Sequence, residues 1–159
     1  MGNIFSGSEI VEIGIQIEKN GRDFYLTLAQ KAKLPDAGKV FKYLAGEEEK
    51  HMLVFQDILD SLEGYVPAES YPGEYLDYMK ALAGEYVFTQ ENKGTAAALA
   101  TKSDKEAVQL GIGFEKDSII FYEGMKKSVP DFDLKVIDQL ISQEQGHLRQ
   151  LAELKLKIL

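Results

Sequence analysis

Apolar side chains recur at helical spacing along almost the whole chain. No run alternates apolar and polar residues between turn signals, so the pattern predicts helices and no strands. A first helix is expected from near Ser8, which can cap it with Glu12 close behind. It carries Val11, Ile15, Tyr25, Leu28, Ala29 and Ala32 on one stripe and is stopped by Pro35. A second, about 37 to 63, has Asp36 as its expected cap and ends at Gly64 with Pro67 beyond. Its inward face holds Phe41, Leu44, Ala45, Met52, Phe55, Leu59 and Leu62. A third starts near Ser103 with a capping box to Glu106, presents Val108, Ile112, Ile119, Tyr122 and Met125, and stops before Pro130. The fourth begins at Asp131 or Asp133 and runs to the C-terminus with Ile137, Leu140, Ile141, Leu148, Leu151 and Leu154 inward.

Between the second and third helices, Pro67, Pro72, Gly73, Gly84 and Gly94 punctuate a connection interrupted only by a short aromatic helix around Tyr75 to Tyr86. Its tyrosines, Tyr65, Tyr71, Tyr75, Tyr78 and Tyr86, are expected to cover one side of the molecule. The predicted fold is all-α: a four-helix bundle of two hairpins with a long crossover between its second and third long helices. The 159 residues suit one domain spanning the chain.

The two hairpins are copies of one another. Shifting the chain by 97 positions lays Gly14-Ile15-Gln16-Ile17-Glu18-Lys19 on Gly111-Ile112-Gly113-Phe114-Glu115-Lys116 and Phe24-Tyr25 on Phe121-Tyr122. A shift of 96 lays Val40, Leu44, Glu48 and His51 on Val136, Leu140, Glu144 and His147. Such a repeat can close around a local two-fold axis. Its shared polar residues are a single glutamate on each outer copy, Glu18 and Glu115, and a Glu-x-x-His pair on each inner one, Glu48/His51 and Glu144/His147. Residues three apart share a helix face, so each Glu and His aim at one point. All four glutamates fall on apolar stripes, whereas the flanking Glu47 and Glu49 are expected on a solvated face.

Four ionised carboxylates in an apolar core would each cost several kcal/mol or more unless paired, protonated or bound to cations. Two divalent metals balance four carboxylates, and two neutral imidazoles complete the donors. This set suits iron or manganese, and zinc can bind it too. Tyr25 and Tyr122 follow the single glutamates by seven residues on the same face, where a phenol can hydrogen-bond a ligand or simply fill the core. Gly14 and Gly111, one turn before those glutamates, leave room for close helix packing or a small oxidant.

Composition narrows the alternatives. The chain has no cysteine, which excludes disulfides, thiol nucleophiles and iron-sulfur centres. A net charge of -8 without a basic block argues against nucleic acid. No stretch is apolar for the length of a membrane span, and no leader pattern is visible, so a cytoplasmic protein with no membrane partner is expected.

One Glu from each of two helices and Glu-x-x-His from each of two others resembles the ferritin-like di-iron carboxylate bundles. Ile17-Glu18-Lys19 to Phe24-Tyr25, the Leu44-Ala45 to Glu48-Glu49-Lys50-His51 run, and their repeat copies are most similar to the rubrerythrin branch. The resemblance implies Glu18, Glu48, His51, Glu115, Glu144 and His147 as ligands of two iron ions, with Glu48 and Glu144 bridging. It also implies an oxidoreductase that reduces hydrogen peroxide or dioxygen, with iron binding, storage or delivery as the non-catalytic alternative. Rubrerythrins usually carry a cysteine-ligated rubredoxin domain, absent here, so a separate electron-donor protein is expected. They also tend to carry a further carboxylate where this chain has Ser118, so the ligand set is closer to the symmetric bacterioferritin type. The crossover permits helices to swap between copies, and a homodimer is the expected assembly.

Overall fold

A computed structural model describes residues 7–62, 65 and 73–158, and among these there are helices and no strands. The long helices are α1 (Gly7–Lys31), α2 (Pro35–Ser61), α5 (Asp104–Met125) and α6 (Asp131–Lys157). Two short ones, α3 (Glu74–Glu85) and α4 (Lys93–Ala100), lie in the crossover with a 3-10 turn, Val87–Thr89, between them. None of these helices is long and apolar enough to cross a membrane.

Short links make α1/α2 and α5/α6 hairpins. Contacts between the hairpins fix their directions. Tyr122 meets Glu18 and Tyr25 meets Glu115, so α1 and α5 run antiparallel; His51 meets Glu144 and Glu48 approaches His147, so α2 and α6 do too. The chain leaving α2 must therefore travel the length of the bundle before starting α5. That is why the crossover is long, and it covers the α1–α5 side. There α3 packs on α5, while the 3-10 turn and α4 pack on α1.

Several local expectations change. Pro35 is the first residue of α2 rather than a stop after α1, and α1 ends at Lys31. Asp36 does not cap α2, because Leu34 stands at the N-cap without a side-chain bond. The Asp104 carboxylate, from the start of α5, accepts from Lys33 N and Leu34 N instead, at 2.8–3.2 Å. Ser8 lies inside the first turn of α1, whereas α6 does begin at Asp131, directly after Pro130. Ser103 does cap α5, its hydroxyl accepting from Glu106 N at 3.1 Å. On α1 the buried face is wider than one stripe. Ile17 and Phe24 are fully buried and Ile15 only partly, because α2 lies on one side and α4 on the other. Of the tyrosines, Tyr86 is buried and Tyr78 half exposed; Tyr71, with the Gly64 helix stop and Pro67, lies outside the described residues.

No apolar stripe announces α4, and its alanines supply propensity rather than pattern. Asn20 places it. The buried Asn20 amide donates to the Phe88 and Gln90 carbonyls, both at 2.6 Å, and its oxygen accepts from Lys93 N and Gly94 N at 3.1 and 3.0 Å. A Cβ on Gly94 would collide with the Asn20 carbonyl, so only glycine lets α4 come this close. Asn20→Ala would orphan buried backbone groups at about 1–3 kcal/mol each. The expected result is a melting temperature lower by roughly 10 °C in thermal denaturation. A change of a degree or two would show that the crossover docks without this clamp.

Candidate metal centre

α1 contributes Glu18, α2 Glu48 and His51, α5 Glu115, and α6 Glu144 and His147; none of the six is more than 4% exposed. Burial on all four helices follows from the apolar stripes on which these residues sit, since each stripe turns to the bundle axis. Donor atoms of Glu18, Glu48, His51 and Glu144 lie within 4.8 Å of one another, as do those of Glu48, Glu115, Glu144 and His147. Glu48 and Glu144 belong to both groups.

Both histidines turn Nδ1 inward. His51 Nδ1 is 2.8 Å from Glu144 Oε1 and 3.6 Å from Glu18 Oε1. His147 Nδ1 is 3.1 Å from Glu144 Oε2, 3.4 Å from Glu48 Oε1 and 3.7 Å from Glu115 Oε1. The two rings stack with centroids 5.5 Å apart. The phenols act across the repeat rather than within a helix: Tyr25 donates to Glu115 at 2.7 Å, and Tyr122 to Glu18 at 2.5 Å. Burial and the nearby carboxylates push both phenols well above the usual tyrosine range, so they remain neutral donors.

Burial, reinforced by Glu48 and Glu144, pushes the Glu18 and Glu115 carboxyls well above the ordinary range. Burial works the same way on Glu144, but hydrogen bonds from Glu115, His147 and His51 outweigh it and hold Glu144 well below the ordinary range. Burial disfavours charge on the histidines, yet Glu144 and Glu48 overcome it and bring both up to about 9. Without metal, protons therefore stand in for cations. Glu18 Oε2 is buried with no hydrogen-bond partner, an acceptor that a metal ion would use. Oxygen and imidazole donors, two shared carboxylates and this orphaned oxygen together fit a pair of divalent ions.

The glycine expectation resolves towards packing. A Cβ on Gly14 would come within 2.7 Å of Met125 Cε, and one on Gly111 within 3.2 Å of Leu151 Cδ1 and 3.4 Å of the Tyr25 hydroxyl. Side chains, and not an oxidant, use that space. Ser118 bonds the Tyr86 hydroxyl at 2.8 Å. Two residues escaped the sequence reading. Gln143 Oε1 lies 2.6 Å from His51 Nε2, and Glu47 is half-buried beside both imidazoles rather than on a solvated face. Their signal was present, since the shift of 96 that pairs Glu48 with Glu144 also pairs Glu47 with Gln143.

The family model for rubrerythrin matches residues 9–155, which takes in α2 and α5, all but two residues each of α1 and α6, and all six donors. The chain belongs to the rubrerythrin family. A solved structure from Thermotoga maritima, of a protein described as ferritin-like and diiron-carboxylate, is similar over 98% of this chain and 97% of that one, with a TM-score of 0.66 and 25% identity. The ferritin-like bundle is thus shared by this rubrerythrin-family chain and that protein. Comparison with curated proteins gives no match.

Proposed function

We propose that this rubrerythrin-family chain is an oxidoreductase that uses a pair of iron ions to reduce hydrogen peroxide or dioxygen, with electrons from a separate redox protein. The carrying observation is the pair of overlapping donor groups that share Glu48 and Glu144. Glu18, Glu48, His51 and Glu144 would hold one ion and Glu48, Glu115, Glu144 and His147 the other, with Glu48 and Glu144 common to both; manganese or zinc could take the same donors. When bound, a ferrous pair supplies the two electrons that, with two protons, take hydrogen peroxide to two waters.

The chain's own residues support that chemistry in three ways. Tyr25 and Tyr122 hold Glu115 and Glu18 in place through neutral phenols. Phe24 packs against Tyr25 and Phe114, and Phe55 against Tyr122, an apolar wall behind the phenols that keeps bulk water away. A cavity of about 10 Å³ touches Glu48 and Glu115 and is lined by Gly21, Tyr86, Phe88 and Ser118. Such a space is about one water across, which favours a small oxidant over a bulky organic one.

The test is elemental analysis of freshly purified, untagged protein, then anaerobic Fe(II) loading and a peroxide pulse followed by absorbance. Two ions per chain and rapid ferric bands with peroxide are expected. Slow, dioxygen-driven uptake beyond two ions per chain would favour storage instead, and no bound metal would end the proposal.

A further inference from the structure

All six donors are buried, so ions must reach them past some other group. Glu47 is in position to be that group. One of its carboxylate oxygens and one nitrogen from each of His51 and His147 lie within 4.8 Å of one another. Glu49, two residues on, is exposed, whereas the Glu47 side chain is 16% exposed and accepts from Lys50 Nζ at 3.0 Å. The backbone beside it is open: a Cβ on Gly46 would meet nothing within 4 Å, and one on Gly146 only Arg149 Nη2 at 3.9 Å. The repeat sharpens the contrast. The mate of Glu47 is Gln143, a neutral amide at His51 Nε2, so of this repeat pair it is Glu47 that carries a carboxylate.

We propose that Glu47, with His51 and His147, is a staging site where divalent cations are taken from solvent before passing inward to the buried carboxylates. This rests on the reading that the centre holds two metal ions. Lys50 pairs with Glu47 in the absence of a cation; its side chain is 74% exposed, and a solvated ion pair of this kind is weak, so a divalent ion displaces it readily. The site is transient for a chemical reason. His51 and His147 belong to the inner donor groups as well as to the Glu47 group, so an ion beside Glu47 shares both imidazoles with the buried carboxylates. Once both inner positions are filled, the outer one lets go.

The experiment uses Co(II) as a redox-stable probe whose visible absorption reports coordination. The metal-free full chain is mixed with Co(II) and the loading rate read; the loaded protein is then given a chelator and the release rate read. Glu47→Gln is expected to slow both by about tenfold, leaving the equilibrium affinity and the final two ions per chain unchanged. Lys50→Ala should speed loading, and Glu49→Gln, which removes the same charge next door, should change neither rate. Weaker equilibrium affinity in Glu47→Gln with an unaltered loading rate would mean that Glu47 only orients a histidine, and the proposal would fall. Equal slowing by Glu49→Gln would overturn it as well, because net charge would then suffice. Wild-type protein that takes up no Co(II) pair would overturn the two-metal reading itself, a separate outcome. The release arm starts from loaded protein, so it remains decisive even if a metal-free variant folds poorly.

Discussion

Glu144→Ala is expected to lower the metal content from two ions per chain to one or none, a larger loss than any other single donor replacement except at Glu48. Glu144 belongs to both donor groups, and its two oxygens receive the two histidines separately, Oε1 from His51 and Oε2 from His147. Removing it takes one ligand from each metal position and the orienting acceptor from both rings. Losing only an orienting partner typically costs about 10–100-fold in metal affinity, so losing a shared ligand should exceed that at both positions. The metal-free fold would suffer as well. The carboxylate nearest both imidazoles disappears, leaving only the longer approaches of Glu18, Glu48 and Glu115 to offset their charge. Glu18→Ala is the informative contrast, since Glu18 serves one group only and one position should survive. Elemental analysis after dialysis reads the result, with circular dichroism to show that helicity persists. Two tightly held ions in Glu144→Ala would refute the shared-carboxylate arrangement.

Stability should depend on pH in opposite ways with and without metal. In the metal-free chain His51 and His147 rise from 6.5 when unfolded to about 9 when folded. Between those values the folded chain holds more protons than the unfolded one, so this contribution is complete below about pH 6.5 and is lost as pH rises through about 9. Glu18 and Glu115, raised by burial, act in the same direction from the ordinary carboxylate range upward. Glu144, held low, acts oppositely, and its contribution is lost as pH falls below that range. The metal-free protein should therefore be most stable at mildly acidic pH. It should lose a few kcal/mol by about pH 9, or roughly 10 °C in melting temperature. Metal binding replaces those protons, so metal affinity, and with it the stability gained on loading, should grow over the same interval. Thermal melts of chelator-stripped and metal-loaded protein across that range check both curves. A metal-free profile that stays flat through the interval would mean that the imidazoles do not carry the charge that neutralises the cluster.

The long helices could be read in advance because each has an apolar face to bury, and that need is written locally at helical spacing. Glu18, Glu48, Glu115 and Glu144 were conspicuous for the complementary reason. An ionisable group on such a face is costly alone, and the repeat showed the same exception twice in each half. What stayed hidden depends on contacts between segments far apart in the chain. Asp36 looked like the cap of α2, but Pro35 at the first helical position leaves no N–H there to satisfy, and the Asp104 carboxylate, some seventy residues on, reaches the free amides of Lys33 and Leu34. α4 carries no stripe because it is fastened by Asn20 rather than by an apolar face of its own.

The sequence by itself determined four amphipathic helices in two related hairpins, an acidic core of four glutamates and two histidines, and a resemblance to the ferritin-like carboxylate proteins. Periodicity, repetition and the energetic cost of buried charge are properties of the chain read in order. Only the tertiary structure decided that Tyr25 serves Glu115 and Tyr122 serves Glu18, and that Glu47 leaves the solvated face to stand beside both imidazoles. Those choices depend on the antiparallel register between the hairpins, and no local pattern encodes it. The register is settled when the apolar faces of all four helices are buried together.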